Sequence, residues 1–173
     1  KRLAPVATFS VGLEVEFVHF EDREIRLREL LKKLDSPYDY IVIDCPPSLG
    51  FMTVNALVAA NSLIVPLQCE YYAMEGLGYL LNTVKLVKAK LNPSLALGGI
   101  LLTMFDARNS LAHRVTEDVR KHLGSKVFST IIPRNVRLSE SPSHGLPVII
   151  YDGKSRGAIA YMDLANEILH GEA

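Results

Sequence analysis

The stretch Tyr40-Ile41-Val42-Ile43-Asp44-Cys45-Pro46-Pro47-Ser48 joins an apolar, β-branched run to a carboxylate and a rigid double-proline turn. The run predicts a strand over 40–43 that is covered on both faces, as in parallel sheets. Ligands of open α/β sheets bind beyond the carboxyl ends of the strands, so Asp44 is predicted to lie beside a ligand or its metal ion. Structural capping of the following turn is the alternative reading of this carboxylate.

The rest of the chain alternates between short apolar runs and longer segments with helical periodicity. Strands are predicted over 62–66, 99–103 and 127–131. Helices are predicted over 22–34, 74–91, 110–123 and 155–169. Ser110 is the expected N-cap of the third helix, and Gly124 follows its end. This alternation is typical of an α/β fold with a parallel sheet, and we expect one domain over residues 1–173.

Composition excludes several classes of protein. Nineteen basic and nineteen acidic residues give a formal charge of zero, so any binding to nucleic acid or membrane must be local. No apolar stretch reaches the roughly 20 residues of a membrane span. Cys45 and Cys69 lie too far apart for a C-x-x-C pair and are interpreted as buried, reduced thiols. The start has no signal-peptide pattern. It also has no initiator Met, and we therefore expect the chain to be a fragment.

Positive charge is concentrated in one part of the sequence. Residues 106–137 contain seven basic and three acidic side chains, a net excess of four positive charges in a chain whose total formal charge is zero. A solvated helix face explains part of this excess. Non-specific DNA binding depends on neutralising phosphates, and such a cluster would support it.

The sequence shows no pattern typical of a protein metal site or of a serine hydrolase. The five histidines lack metal-ligand spacing with the cysteines, and no G-x-S-x-G motif makes Ser48 or Ser143 a hydrolase nucleophile. Tyr71 and Tyr72 are interpreted as packing residues.

Five ordered blocks carry a resemblance to a known family. They read DCPPSLG (44–50), QCEYYAMEG (68–76), LLTM followed by DAR (101–108), IPRNVRLSE (132–140) and YDGKSRG (151–157). Together they resemble the ParA/Soj-type chromosome or plasmid partitioning ATPases, with a likeness running from about Ala7 to Leu169. The series separates this family from the related MinD and nitrogenase iron proteins.

The resemblance implies a P-loop NTPase-like fold of the deviant Walker A (SIMIBI) class, with a mostly parallel sheet and helices on both faces. It also implies a helix over 7–20, although Val11, Leu13, Val15 and Phe17 alternate as in an edge strand. No G-x-x-x-x-G-K-S/T loop occurs in the chain, so we expect the phosphate-binding loop and first βα unit to lie before Lys1, and the chain alone not to hydrolyse ATP.

The resemblance also assigns residues. Asp44 matches the Walker B carboxylate, which would hold Mg²⁺ through a water. The positions that match nucleotide-binding residues are Pro46, Pro47, Ser48, Glu70, Pro133 and Asn135. Of these, Pro46 to Ser48 would sense the γ-phosphate, and Pro133 and Asn135 would border adenine, to which an amide offers a donor and an acceptor. A solvated loop charge is the alternative reading of Glu70.

Arg108 and Arg137 match positions that contact DNA without regard to its sequence. The resemblance then implies ATP and Mg²⁺ as cofactors, an ATP-dependent homodimer that binds non-specific DNA, and a ParB/Spo0J-like protein that stimulates hydrolysis. It places the protein in the cytoplasm with the bacterial nucleoid and not on a membrane. Two alternatives remain: a nucleotide-independent DNA-binding module derived from the ATPase, and a MinD-like positioning ATPase.

Overall fold

The computed structural model of the chain describes residues 22–34, 38–45 and 50–170. The strands are β1 (Ser62–Gln68), β2 (Ala96–Phe105) and β3 (Val127–Pro133). The helices are α1 (Arg26–Leu31), α2 (Phe51–Ala59), α3 (Ala73–Lys90), α4 (Ser110–Leu123), α5 (Val136–Glu140), α6 (Val148–Tyr151) and α7 (Arg156–His170). Single 3₁₀ turns cover Arg23–Ile25, Gly124–Lys126 and Ser141–His144.

The three strands form one sheet in the order β1-β2-β3. β2 and β3 are parallel, and Ile100 pairs with Val127 and Phe105 with Pro133, with two register irregularities between them. The Cys69 amide, just beyond β1, donates to the Thr103 carbonyl at 3.1 Å. Helices alternate with these strands along the chain. The predicted open α/β architecture is therefore confirmed.

The strand predicted over 40–43 is wrong for the described structure. Tyr40 forms an isolated bridge, and residues 41–45 have no regular secondary structure. Ile41 is 41% exposed and Val42 is 56% exposed, whereas a strand buried on both faces would hide both side chains. A strand needs a neighbouring strand for its backbone hydrogen bonds, and among the described residues no ladder forms along this segment.

The predicted helices are confirmed to within a few residues. α3, α4 and α7 occupy 73–90, 110–123 and 156–170, and the segment predicted over 22–34 contains a 3₁₀ turn followed by α1. The predicted cap Ser110 is wrong: Asn109 is the N-cap, and its Oδ1 accepts from the Leu111 amide at 3.0 Å. The amide oxygen can do what the Ser110 hydroxyl was expected to do, one residue earlier. The helix expected over 7–20 lies outside the described residues.

The chain divides into two compact units, and the expectation of a single domain stays a prediction. The first unit comprises residues 1–63 and 79–96. Its core contains the buried side chains Leu57, Val58, Val84, Val87 and Leu95. Asn92 closes this core, because its amide donates to the carbonyls of Leu57 at 2.9 Å and Ala60 at 2.8 Å. These bonds satisfy two carbonyls at the end of α2. α3 ends at Lys90, just before Asn92-Pro93, as the sequence predicted.

The second unit comprises residues 64–78 and 97–173. Its core contains Leu101, Phe128, Ile132, Ala160 and Leu164, which join β2 and β3 to α7. A Cβ at Gly99 would lie 2.5 Å from the Phe128 ring, so the bare backbone of β2 is what admits this ring. Close packing of this kind leaves no room for one additional carbon.

A buried carboxylate attaches α7 to β3. Glu167 is 6% exposed and accepts backbone N–H groups from Ser129 at 2.6 Å and Thr130 at 3.0 Å. Burial by itself raises the pKa of Glu167, but the hydrogen bonds from Thr130 and Ser129 outweigh it and leave the pKa below its ordinary value. Ser129 and Thr130 lie where the pairing of β3 with β2 is irregular, and the carboxylate accepts from their two amides in place of a strand neighbour.

Neither cysteine forms a disulfide. Cys69 is buried as predicted, whereas Cys45 is exposed, contrary to the prediction, because the segment that carries it is not packed as a strand. Over the described part of the chain, no helix combines the length and the apolarity that crossing a bilayer requires.

Candidate functional site

A groove of about 480 Å³ lies at the carboxyl ends of β2 and β3. Thr103 and Met104 line it from β2, and Ile132 lines it from β3. The other lining residues are Pro66, Arg134, Asn135, Val136, Leu138, Ser139 and Tyr161. We call it the strand-end groove. Ligands of open α/β sheets bind in this position, beyond the carboxyl ends of the strands.

Asn135, predicted to border a base, lines the strand-end groove as the N-cap of α5. Its Oδ1 accepts from the Arg137 amide at 2.9 Å. The cap therefore occupies the acceptor side of this amide and fixes the side chain, while the amide N–H groups remain the donor side. Pro133 ends β3 two residues earlier, and its rigid φ angle directs the chain from the strand into this cap.

Met104 was not singled out as a site residue from the sequence. Its φ angle is +54°, and among the described residues it alone combines a side chain with a positive φ. A non-glycine residue in this region costs about 1–2 kcal/mol, so the surrounding structure must enforce it. Strained backbone often marks ligand sites, and this residue lines the strand-end groove, but a methionine carries no sequence signal for it.

Glu70 lies in the turn after β1, and its side chain is 62% exposed. Its Oε1 is 3.7 Å from Nη2 of Arg134, a residue of the strand-end groove. Glu70 also lines a second groove of about 530 Å³, together with Gln68, Tyr71, Tyr72, Ala73, Asn109 and Leu111. This ion pair connects the turn after β1 with the turn after β3. It therefore brings a residue of the second groove next to a residue of the strand-end groove.

The interpretation of Tyr71 and Tyr72 as packing residues is wrong. They are 73% and 74% exposed, and their rings meet edge to face at a centroid distance of 5.1 Å. The turn between β1 and α3 projects both rings outward, which their apolar character did not predict.

Asp44 is exposed in the segment 38–45 of the first unit. Pro46, Pro47 and Ser48 lie outside the described residues. No group of three or more His, Cys, Asp or Glu side chains that could hold a metal occurs among the residues for which the structure gives positions. One exposed carboxylate fits a Mg²⁺ ion that keeps its waters and takes its other ligands from phosphate, and it does not fit a metal held by protein ligands alone.

Arg108, predicted to contact DNA, projects from the loop between β2 and α4 with 89% of its side chain exposed. Its guanidinium forms two hydrogen bonds with the Asp106 carboxylate, at 3.0 and 2.9 Å, and its backbone amide forms a third at 3.0 Å. The hydrogen bonds from the Arg108 side chain and then from its backbone lower the pKa of Asp106 to about 2.

Arg137, the second predicted DNA contact, lies on α5 and has two acidic partners. Its Nη1 is 2.8 Å from Glu140 Oε2, and its Nε is 3.3 Å from Asp152 Oδ2. The hydrogen bond with Glu140, followed by the charge of the same carboxylate, raises the pKa of Arg137. Tyr151 donates to Glu140 at 3.4 Å and stacks on His144 with ring centroids 4.8 Å apart. Sequence reasoning named Arg137 but not these carboxylates.

The open α/β sheet with a groove at its strand ends places the chain among the P-loop NTPase-like α/β proteins. A solved neighbour is cobyrinic acid a,c-diamide synthase from Mycobacterium smegmatis, crystallised with an ATP analog and magnesium. It has a TM-score of 0.74 and 39% identity, over 91% of this chain and 57% of the neighbour. The model of the AAA domain family (AAA_31) matches residues 2–97, more than half of the chain.

Two curated relatives carry the identification further. The sporulation initiation inhibitor protein Soj of Bacillus subtilis is 55% identical over 95% of this chain and 65% of the relative. The chromosome partitioning protein ParA of Myxococcus xanthus is 54% identical over 97% of this chain and 59% of the relative. The chain belongs to the AAA domain family and is a homologue of the ParA/Soj chromosome partitioning proteins. The chain spans about three fifths of the length of these relatives. These relatives support a partitioning protein better than they support a nucleotide-independent DNA-binding module or a MinD-like positioning ATPase.

Proposed function

We propose that the complete protein containing this chain is a ParA/Soj-type chromosome or plasmid partitioning ATPase. In this proposal ATP-dependent dimerisation switches non-specific DNA binding, and a ParB/Spo0J-like partner stimulates hydrolysis in the cytoplasm at the nucleoid. Identity of 54–55% with Soj and ParA over nearly the whole chain is the observation that carries the proposal.

The strand-end groove supports a nucleotide site. Its place at the ends of β2 and β3, the fixed amide of Asn135 and the strained Met104 suit a planar ligand with hydrogen-bonding edges. In the proposal Pro133 and Asn135 border the base, Glu70 lies near the nucleotide at the dimer interface, and Pro46, Pro47 and Ser48 sense the γ-phosphate. The neighbour crystallised with an ATP analog and magnesium supports a nucleotide and Mg²⁺ for this fold.

Asp44 is assigned the Walker B role. Its exposed carboxylate would hold Mg²⁺ through a water, and the ion when bound would neutralise charge on the phosphate oxygens. Arg108 and Arg137 are assigned to DNA phosphate, because both guanidiniums are accessible and the sequence between them is basic.

Mg²⁺-dependent ATP hydrolysis by the complete protein, with and without duplex DNA, tests this function. Asp44→Asn is expected to lower the rate about 100-fold or more, since electrostatic stabilisation is a major part of phosphoryl-transfer catalysis. Asp163→Asn, which removes an exposed charge from α7, is the control and should leave the rate unchanged. Hydrolysis by Asp44→Asn at the wild-type rate would show that the Walker B assignment is wrong.

DNA binding is tested separately by measuring affinity against salt concentration. Arg108→Ala and Arg137→Ala are each expected to weaken binding to all sequences and to reduce the salt slope by about one. Lys88→Ala, an exposed cation on α3, is the control. DNA binding that does not depend on ATP would instead favour the nucleotide-independent module.

A further inference from the structure

We propose that three carboxylates, Asp106, Glu140 and Asp152, compete with DNA phosphate for Arg108 and Arg137, and so set the affinity of the protein for DNA. The inference rests on the proposed function, because it concerns the same two arginines. It adds acidic residues to a set of DNA contacts so far defined by basic ones, and it makes DNA binding an exchange of ion pairs.

The first competing pair lies within one loop. Asp106 and Arg108 form a bidentate contact at 3.0 and 2.9 Å, the same fork geometry by which a guanidinium grips a phosphate. A phosphate that takes this geometry must displace or share the Asp106 oxygens. Since the Arg108 side chain is 89% exposed, its guanidinium is accessible to a DNA phosphate.

The second competing pair draws on two elements. Glu140 lies one turn after Arg137 on α5, whereas Asp152 follows α6. Their oxygens lie 2.8 and 3.3 Å from the guanidinium, so the positive charge of Arg137 faces two negative ones. Tyr151 donates to Glu140 at 3.4 Å and helps to hold that carboxylate in place.

The ion pairs of Arg137 are weak enough to exchange. The side chains of Arg137, Glu140 and Asp152 are between 35% and 46% exposed, and ion pairs at such positions contribute little by themselves. Protonation does not release Asp106 at ordinary pH, because its pKa lies near 2. Displacement by another anion is therefore the route by which Arg108 becomes available.

Removing a competing carboxylate should strengthen DNA binding. The complete protein, in the nucleotide state that binds DNA, is titrated with non-specific duplex over a range of salt concentrations. Glu140→Gln and Asp106→Asn are each expected to tighten binding about two- to fivefold, the range of an exposed ion pair expressed as affinity. Glu117→Gln is the matched control. It removes one negative charge from α4, within the same basic segment, but Glu117 does not belong to the ion pairs of Arg108 or Arg137.

A double-mutant cycle separates competition from general electrostatics. Glu140→Gln should lose its additional gain over Glu117→Gln when Arg137 is replaced by Ala, whereas the gain from Glu117→Gln should persist. Asp106→Asn and Arg108→Ala form a second, independent cycle. The asparagine side chain keeps an oxygen that can accept from the backbone amide of residue 108, so the loop retains this hydrogen bond. Thermal melts of every variant confirm that the fold is intact.

The outcomes distinguish this inference from the function on which it rests. Gains from Glu140→Gln and Asp106→Asn that equal the Glu117→Gln gain, or that survive removal of the arginines, overturn the inference and leave DNA binding standing. A wild-type protein that binds no DNA at any salt concentration overturns both.

Discussion

Two apolar runs of similar composition have different fates in this protein. Ile41 and Val42 precede Asp44 and are exposed, whereas Ile132, in β3, is 2% exposed. β3 has β2 beside it, α7 across its face and the Glu167 carboxylate on two of its amides. The described structure supplies none of these to residues 41–45. Apolar sequence creates the tendency to form a strand, and neighbouring elements decide whether it does.

The largest expected effect comes from truncating one isoleucine in each run. Ile132→Ala should lower the free energy of unfolding by about 3 kcal/mol, because it removes a buried side chain and leaves a cavity. Ile41→Ala, the matched control, should cost less than about 1 kcal/mol, because much of that side chain is already in water. Chemical denaturation measures both. Equal costs would mean that residues 40–44 are packed as tightly as β3.

The attachment of α7 to β3 is tested next. Glu167→Gln should lower stability by about 2 kcal/mol, since hydrogen bonds to a charged group are lost and the new amide N–H₂ faces a backbone donor. Asp163→Asn removes an exposed charge from the same helix and serves as the control, with a change within about 0.5 kcal/mol. A Glu167→Gln protein as stable as wild type would show that β3 does not depend on this carboxylate.

The backbone near the end of β2 is strained at Met104, and substitutions at this position can measure the strain. At φ +54°, glycine relieves strain that alanine keeps. Met104→Gly should therefore be more stable than Met104→Ala by about 1 kcal/mol, the reverse of the usual order in a strand. Thermal denaturation measures both variants. Because both lose the methionine side chain, the difference in stability between them reports the backbone strain. Greater stability of the alanine variant would contradict an enforced backbone at this end of β2.

The smallest expected effect is on pH dependence, because only the charge-dependent part of the Glu167 attachment titrates. Its pKa is lowered in the folded protein, so its contribution is full above the unfolded value of 4.5 and is lost as pH falls through the folded value. Stability measured from pH 6 to pH 3 should fall less steeply in Glu167→Gln than in wild type. Parallel curves would assign the acid sensitivity to other groups.

Much of the fold was predictable from periodicity. The strands β1 to β3 and the helices α3, α4 and α7 follow apolar patterns that short-range sequence carries directly. The N-cap was misplaced by one residue because Asn109 and Ser110 are both good caps, and only backbone geometry chooses between them. The short helices α5 and α6 are too brief to show a period.

The candidate site was predictable in part. Asn135 and Glu70 border grooves, in keeping with the roles that the resemblance implied, while those roles remain proposals. Met104 and the exposed tyrosines were missed or misread, since neither a φ angle nor the direction of a turn is written in residue type. Glu140 was visible in a family block, but its pairing with Arg137 was not.

The sequence by itself determined the alternation of strands and helices, the kinship with ParA and Soj, and the basic excess between residues 106 and 137. Local patterns and residue identity are enough for these. Tertiary structure alone decided that residues 41–45 form no strand despite their apolar run, that Glu167 serves two amides of β3, and that Arg137 faces Asp152. Each of these depends on contacts between residues distant in sequence, which neither composition nor period encodes.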